Sequence, residues 1–111
     1  MSDPIAVIIR FDGDPEGDLV ERFERARRLW IDAQEGDYSP PLFYAACKRR
    51  EHPRGGPRAR QMDTGIVIVN VWETEAAHRA FNHRMRPHLE AVGMGMPDHL
   101  EHMRIEKLGW D

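Results

Sequence analysis

Three side chains interrupt strand patterns that are otherwise apolar: Arg10, Asn70 and Trp72. A buried polar group without a partner costs about 1 to 3 kcal/mol. Each of the three therefore needs a partner, and a bound ligand is one candidate. Asn70 and Trp72 stand two residues apart in an extended run, which points both to one face. An amide and an indole so placed bring two hydrogen-bond donors to one cavity wall. His78 follows, and an imidazole titrates in the range that general-base work requires. The expected catalytic set is Asn70, Trp72, His78 and Arg10. A purely structural reading stands beside it: Asn70 bridging a bulge, Arg10 paired with Glu106 across the sheet, Trp72 in an interface core, and the histidines on the surface.

Other chemistries find less support in the residues. His78, His83 and His88 are five apart, which turns about 140° per step on a helix, so they do not converge on a metal. His99 and His102 lack a third ligand nearby in sequence, and two imidazoles alone make a poor site. There is no Gly-x-Ser-x-Gly and no Gly-x-Gly-x-x-Gly, the signatures of a nucleophile elbow and of dinucleotide binding. No cofactor and no metal are expected. The segment Pro53 to Arg60 carries glycines, prolines and arginines without the Gly-Lys-Ser/Thr ending of a phosphate loop. It reads as a basic hairpin tip, with an anion-binding lid as the alternative.

The element that must position Asn70 and Trp72 is the run Gly65-Ile-Val-Ile-Val-Asn-Val-Trp72. Ile66 and Ile68 share a face with the site pair, and Val67, Val69 and Val71 form the other. Both faces are apolar, so both must be covered. Ile5 to Phe11 repeats the pattern, with Arg10 as its polar exception. A helix is expected from Asp14 and Pro15, through the stripe Leu19, Phe23, Ala26, Trp30 and Ala33, to Gly36. Pro40 and Pro41 mark a loop, and Leu42 to His52 reads as a strand running into charge. Thr74 caps a second helix with Ala77, Phe81 and Met85 inside; Pro87 should break or kink it before Gly93 ends it. His99 to Trp110 gives the last strand.

Strand, helix, strand, strand, helix, strand is a ferredoxin-like split βαβ order in the α+β class. It implies a four-stranded antiparallel sheet with two main helices on one face. The 111 residues form one domain, 1–111, and leave little chain to cover the second face. A homodimer meeting sheet to sheet supplies the cover, with Ile68 expected in the interface. A net charge of −3 and interleaved charges argue against nucleic acid as a partner. No apolar run reaches the roughly 18 residues of a membrane span. The single cysteine, Cys47, excludes an internal disulfide. It is expected as a buried thiol in a reducing, cytoplasmic setting.

Val71-Trp72-Glu73-Thr74, followed by Ala77, Phe81, Pro87 and Leu89, resembles the antibiotic biosynthesis monooxygenase-like family of dimeric α/β barrels. The resemblance implies two sheets packed face to face, with one ligand cavity per subunit between its own sheet and helices. In quinone-forming members an asparagine and a tryptophan near the cavity bind the substrate or its peroxy intermediate. Trp72 carries over by its place in the motif, and Asn70 by type and neighbourhood. Haem-degrading members need an asparagine on the first strand and a tryptophan on the second helix, where this chain has Arg10 and Phe81. Two functions follow as expectations: a cofactor-independent monooxygenase of an aromatic or polyketide-like molecule, or a non-catalytic dimeric module binding a small apolar or aromatic ligand. Haem degradation ranks third.

Overall fold

A computed structural model of the chain describes residues 3–34, 39–49 and 65–109. Strands β1 (Ile5–Phe11), β2 (Phe43–Lys48), β3 (Ile66–Trp72) and β4 (His99–Arg104) alternate with helices α1 (Leu19–Ala33) and α2 (Glu75–Ala91) in the expected order. They form one antiparallel sheet in the order β2-β3-β1-β4. Both helices lie on one face, the ferredoxin-like arrangement.

The register sorts the side chains. On the helix side, Val7, Ile9 and Phe11 of β1 and Ile66, Ile68 and Trp72 of β3 are buried. They meet Phe23, Ala26 and Trp30 of α1 and Phe81, Met85 and Leu89 of α2 in one core. On the open side, cross-strand rows place Phe43, Val71, Ala6 and Met103 side by side, then Ala45, Val69, Ile8 and Glu101. That face is apolar at its centre, and Phe43 stays 53% exposed. Ile68 lies on the helix side and is fully buried within the chain, so the residues offered to a second sheet are Val67 and Val69 rather than Ile68. Cys47 pairs with Val67 near the edge of the open face and is exposed, not buried.

Local chemistry explains where the elements begin and end. The chain after β1 first makes a turn in which Gly17 N–H donates to the Asp14 carbonyl at 3.0 Å. Gly17 sits at φ +72°, a left-handed conformation that a right-handed helix cannot contain, so α1 starts at Leu19 rather than Pro15. Asp14 still accepts the Leu19 N–H, at 3.2 Å. Thr74 caps α2 as expected, its Oγ1 accepting the Ala77 N–H at 3.1 Å.

Pro87 lies inside α2 without ending it. The proline removes one N–H donor, yet buried Met85 and Leu89 anchor the turns on both sides. The helix stops at Gly93, φ +79°, where Met94 N–H reaches the Leu89 carbonyl and Gly93 N–H that of Glu90. That pair of bonds is a Schellman ending, which glycine allows. β4 ends at Arg104, six residues short of the expected Trp110, and every residue of it is exposed. Gly36, the expected end of the first helix, and the charged segment from Arg50 through Arg60 lie outside the described residues.

Candidate functional site

One cross-strand row on the helix side runs Tyr44, Asn70, Val7, His102. Asn70 and Trp72, on β3, are both buried beneath the helices. The Trp72 indole N–H donates to Asn70 Oδ1 at 2.6 Å. Indole nitrogen can only donate, so this bond fixes which end of the amide is oxygen and leaves the NH2 end to donate elsewhere. Asn70 therefore bridges no bulge, and Trp72 belongs to the core between sheet and helices rather than to an interface between sheets.

Helix α1 supplies the opposite wall. Glu24, Arg27, Trp30 and Ile31 recur at helical spacing along the flank that overlies β2 and β3. Tyr44 donates its hydroxyl proton to Glu24 Oε1 at 2.6 Å, and Arg27 Nε donates to Glu24 Oε2 at 2.9 Å. The Arg27 guanidinium also lies over the Tyr44 ring, 4.7 Å from its centroid. Burial, with the Glu24 carboxylate adding to it, pushes the Tyr44 phenol above its ordinary range, so it stays protonated.

These residues enclose a cavity of about 40 Å³ lined by Arg27, Trp30, Pro41, Tyr44, Asn70 and Trp72, among others. A wider groove of about 210 Å³ shares Trp30, Trp72 and Phe81 with it and reaches Gln34, Ser39 and Arg84. Phe81 meets Trp30 edge to face, centroids 4.9 Å apart, and Trp72 at the same distance with a 36° tilt. The groove has one aromatic wall, Trp30, Trp72 and Phe81, and polar side chains at Gln34, Ser39 and Arg84. The inner cavity has room for a few water-sized groups and is lined mainly by apolar side chains, with Arg27, Tyr44 and Asn70 as the polar ones. At the mouth, Arg84 Nη1 donates to Gln34 Oε1 at 2.9 Å, joining α2 to the end of α1. A separate groove of about 220 Å³ on α2, at Arg79, His83, Arg86 and Pro97, shares no lining residue with either.

Of the four residues expected from sequence, Asn70 and Trp72 come together in the cavity wall. His78 and Arg10 do not join them. His78 is buried rather than on the surface, and neither ring nitrogen has a hydrogen-bond partner. It packs beside Trp72, centroids 5.9 Å apart, and lines neither the cavity nor the groove. Burial, with His102 adding to it and Glu75 opposing it, lowers its pKa to about 4. The ring is neutral at pH 7. Arg10 projects from the open face, where its Nε pairs with Asp12 at 2.8 Å, not with Glu106. It stands an odd number of residues from Val7, the β1 partner of Asn70, so the sheet itself separates Arg10 from the site.

The sequence reading missed Tyr44, Glu24 and Arg27. Their available signal was positional: Glu24 and Arg27 border the apolar stripe of α1, three apart, and Tyr44 is the polar-tipped residue of an apolar strand. Among the described residues no group of three His, Cys, Asp or Glu side chains is arranged to hold a metal ion. No helix among them is long and apolar enough to cross a membrane.

No family model matches the chain, and no curated protein does. Solved structures do. SnoaB from Streptomyces nogalater, a cofactor-independent oxygenase solved in mutant form, is 14% identical with a TM-score of 0.65, over 96% of this chain and 97% of that one. A dimeric ferredoxin-like protein of unknown function from Jannaschia sp. CCS1 is 13% identical with a TM-score of 0.53, over 94% and 99% of the two chains. Another from Thermobifida fusca YX is 14% identical with a TM-score of 0.52, over 95% and 92%. At these identities the likeness is one of fold: this chain has the fold of the antibiotic biosynthesis monooxygenase-like, dimeric ferredoxin-like proteins.

Proposed function

We propose that the chain is a cofactor-independent monooxygenase of a planar hydroxyaromatic or polyketide-like molecule, working as a homodimer. The observation that carries this reading is the Asn70–Trp72 pair in the wall of an aromatic-lined cavity. A substrate of this class, once ionised, is itself the electron donor. Its carbanion bonds to O2, the resulting peroxide takes a proton, and loss of water leaves a carbonyl, so O2 is consumed without an added reductant. The charge that develops on the peroxide needs a fixed donor.

Asn70 is that donor in this reading. Its amide oxygen is committed to Trp72, which leaves the NH2 end to donate and fixes the amide before any charge develops. Trp72 is then a positioning residue, because its single N–H is already used. His78 stands behind the indole and takes no part as the base, and Arg10 has no role in the reaction. The homodimer reading rests on the apolar rows of the open face, and the resemblance to dimeric ferredoxin-like proteins supports it.

A second reading is favoured by one specific feature: no imidazole lines the cavity among its described walls. A site that binds a planar ligand without oxidising it has no use for a base. An oxygen electrode separates the two. With hydroxynaphthalene- and anthrone-type compounds, and no flavin, nicotinamide or metal added, the oxygenase consumes O2 in step with substrate loss. Binding without O2 uptake makes the ligand-binding module the better account.

A further inference from the structure

The Tyr44 hydroxyl has one proton and has spent it. Its bond to Glu24 Oε1, at 2.6 Å, has the length of a charge-assisted bond from a hydroxyl to a carboxylate, and Arg27 pins the other carboxylate oxygen at 2.8 Å. With its proton engaged, the Tyr44 oxygen can offer any third group only lone pairs. Tyr44 also stacks on Phe23 at an interplanar angle of 12°, which limits swinging of the ring, and its Cα partner across the sheet is Asn70. The cavity wall thus sets an acceptor, Tyr44, beside an amide donor, Asn70.

We propose that Tyr44 is the residue that selects the ligand, accepting a hydrogen bond from an aromatic hydroxyl, and that Glu24 is the positioning residue that makes Tyr44 an acceptor. The inference rests on reading this cavity as the substrate site and narrows the substrate class to aromatics with a free hydroxyl. O-alkylated analogues have no proton to give and would leave the two oxygens facing each other, lone pair to lone pair. A site built around a hydrogen-bonding group rejects an analogue that cannot complete the bond, since the group is left desolvated and unpaired.

The test is anaerobic binding of 2-naphthol and 2-methoxynaphthalene, followed by quenching of tryptophan fluorescence, with melting temperatures recorded for each variant. The wild type binds the naphthol about tenfold or more tightly than the ether, the ratio expected for one buried hydrogen bond. Tyr44→Phe brings the two within about twofold by weakening the naphthol and not the ether. Glu24→Ala frees the Tyr44 proton, so the ether binds more tightly than to the wild type and the preference shrinks with Tyr44 still present.

Equal affinities in the wild type, no binding of either compound, or a preference that survives Tyr44→Phe would each overturn the proposal. If the Tyr44–Glu24 bond is only a tether between β2 and α1, Tyr44→Phe lowers the melting temperature and leaves the ratio unchanged, which also overturns it. Because binding is read without O2, selection here with no O2 uptake in the aerobic oxygen-electrode assay would count against the oxygenase reading alone, and O2 uptake there without selection here against this inference alone.

Discussion

His78 and His102 meet edge to face with ring centroids 4.8 Å apart, the first from the opening turn of α2 and the second from the exposed strand β4. His78 has no hydrogen-bond partner on either nitrogen, so a proton added to it would be a buried charge beside a second imidazole. The folded pKa of about 4 lies below the ordinary 6.5, so the unfolded chain binds the proton first. Stability from this group is complete above about pH 6.5 and is lost as the pH falls through the window down to 4. The loss is on the order of 3 kcal/mol in full. Urea unfolding between pH 7 and pH 4 should show it, and His78→Leu should flatten the slope in that window. A wild-type slope no steeper than that of the variant would contradict the assignment.

Gly65 precedes β3 at φ +70°, and a Cβ there would lie 2.0 Å from the Phe11 carbonyl oxygen. The clash is with backbone, which no rotamer relieves. Gly65→Ala should therefore cost more than about 2 kcal/mol, combining left-handed strain with displacement of the β1–β3 pairing. The denaturant midpoint measures it. A midpoint within error of wild type would mean that the strand end shifts freely.

Val69 centres the open face, and its neighbours there are Ala45 and Ile8. If a second sheet covers this face, Val69→Asp places an unpaired charge in the interface and should release monomers at micromolar concentration in sedimentation. Ile68→Asp is a different experiment. It puts the charge into the core of the chain and should abolish folding. A wild-type protein that sediments as a stable monomer would refute the dimer.

Alternation along β1 and β3 was legible because β-branched residues fill both faces, and the Thr74 cap because threonine precedes an apolar stripe at the right offset. The start of α1 was not, since Pro15 is an acceptable first residue and only the Gly17 conformation rules it out. Pairing register was the larger gap. Nothing in the chain says that Val7, rather than its neighbour, stands opposite Asn70, and this parity decides that Arg10 and Asn70 share no face. The Tyr44–Glu24 bond spans 20 residues and two elements. Its partners look like ordinary strand and helix residues until the layers are stacked. Asn70 and Trp72 were found because two residues on one strand need no tertiary information to share a face.

That pair gives the last prediction. Asn70→Ala removes the donor itself, so in the oxygenase reading kcat should fall by about 10²-fold or more while binding of the unreacted substrate changes little. Trp72→Phe keeps the aromatic wall and removes only the N–H that orients the amide. The amide is then free to flip between its oxygen and nitrogen ends, and part of the population presents the wrong one. The loss in kcat should be real but smaller than that of Asn70→Ala, and the double variant should be no worse than Asn70→Ala alone, because orientation matters only while there is an amide to orient. Steady-state O2 uptake for the two single variants and the double variant completes the cycle. Fully additive losses would mean that Trp72 acts on the substrate directly, and equal losses in KM rather than kcat would make both residues part of substrate binding.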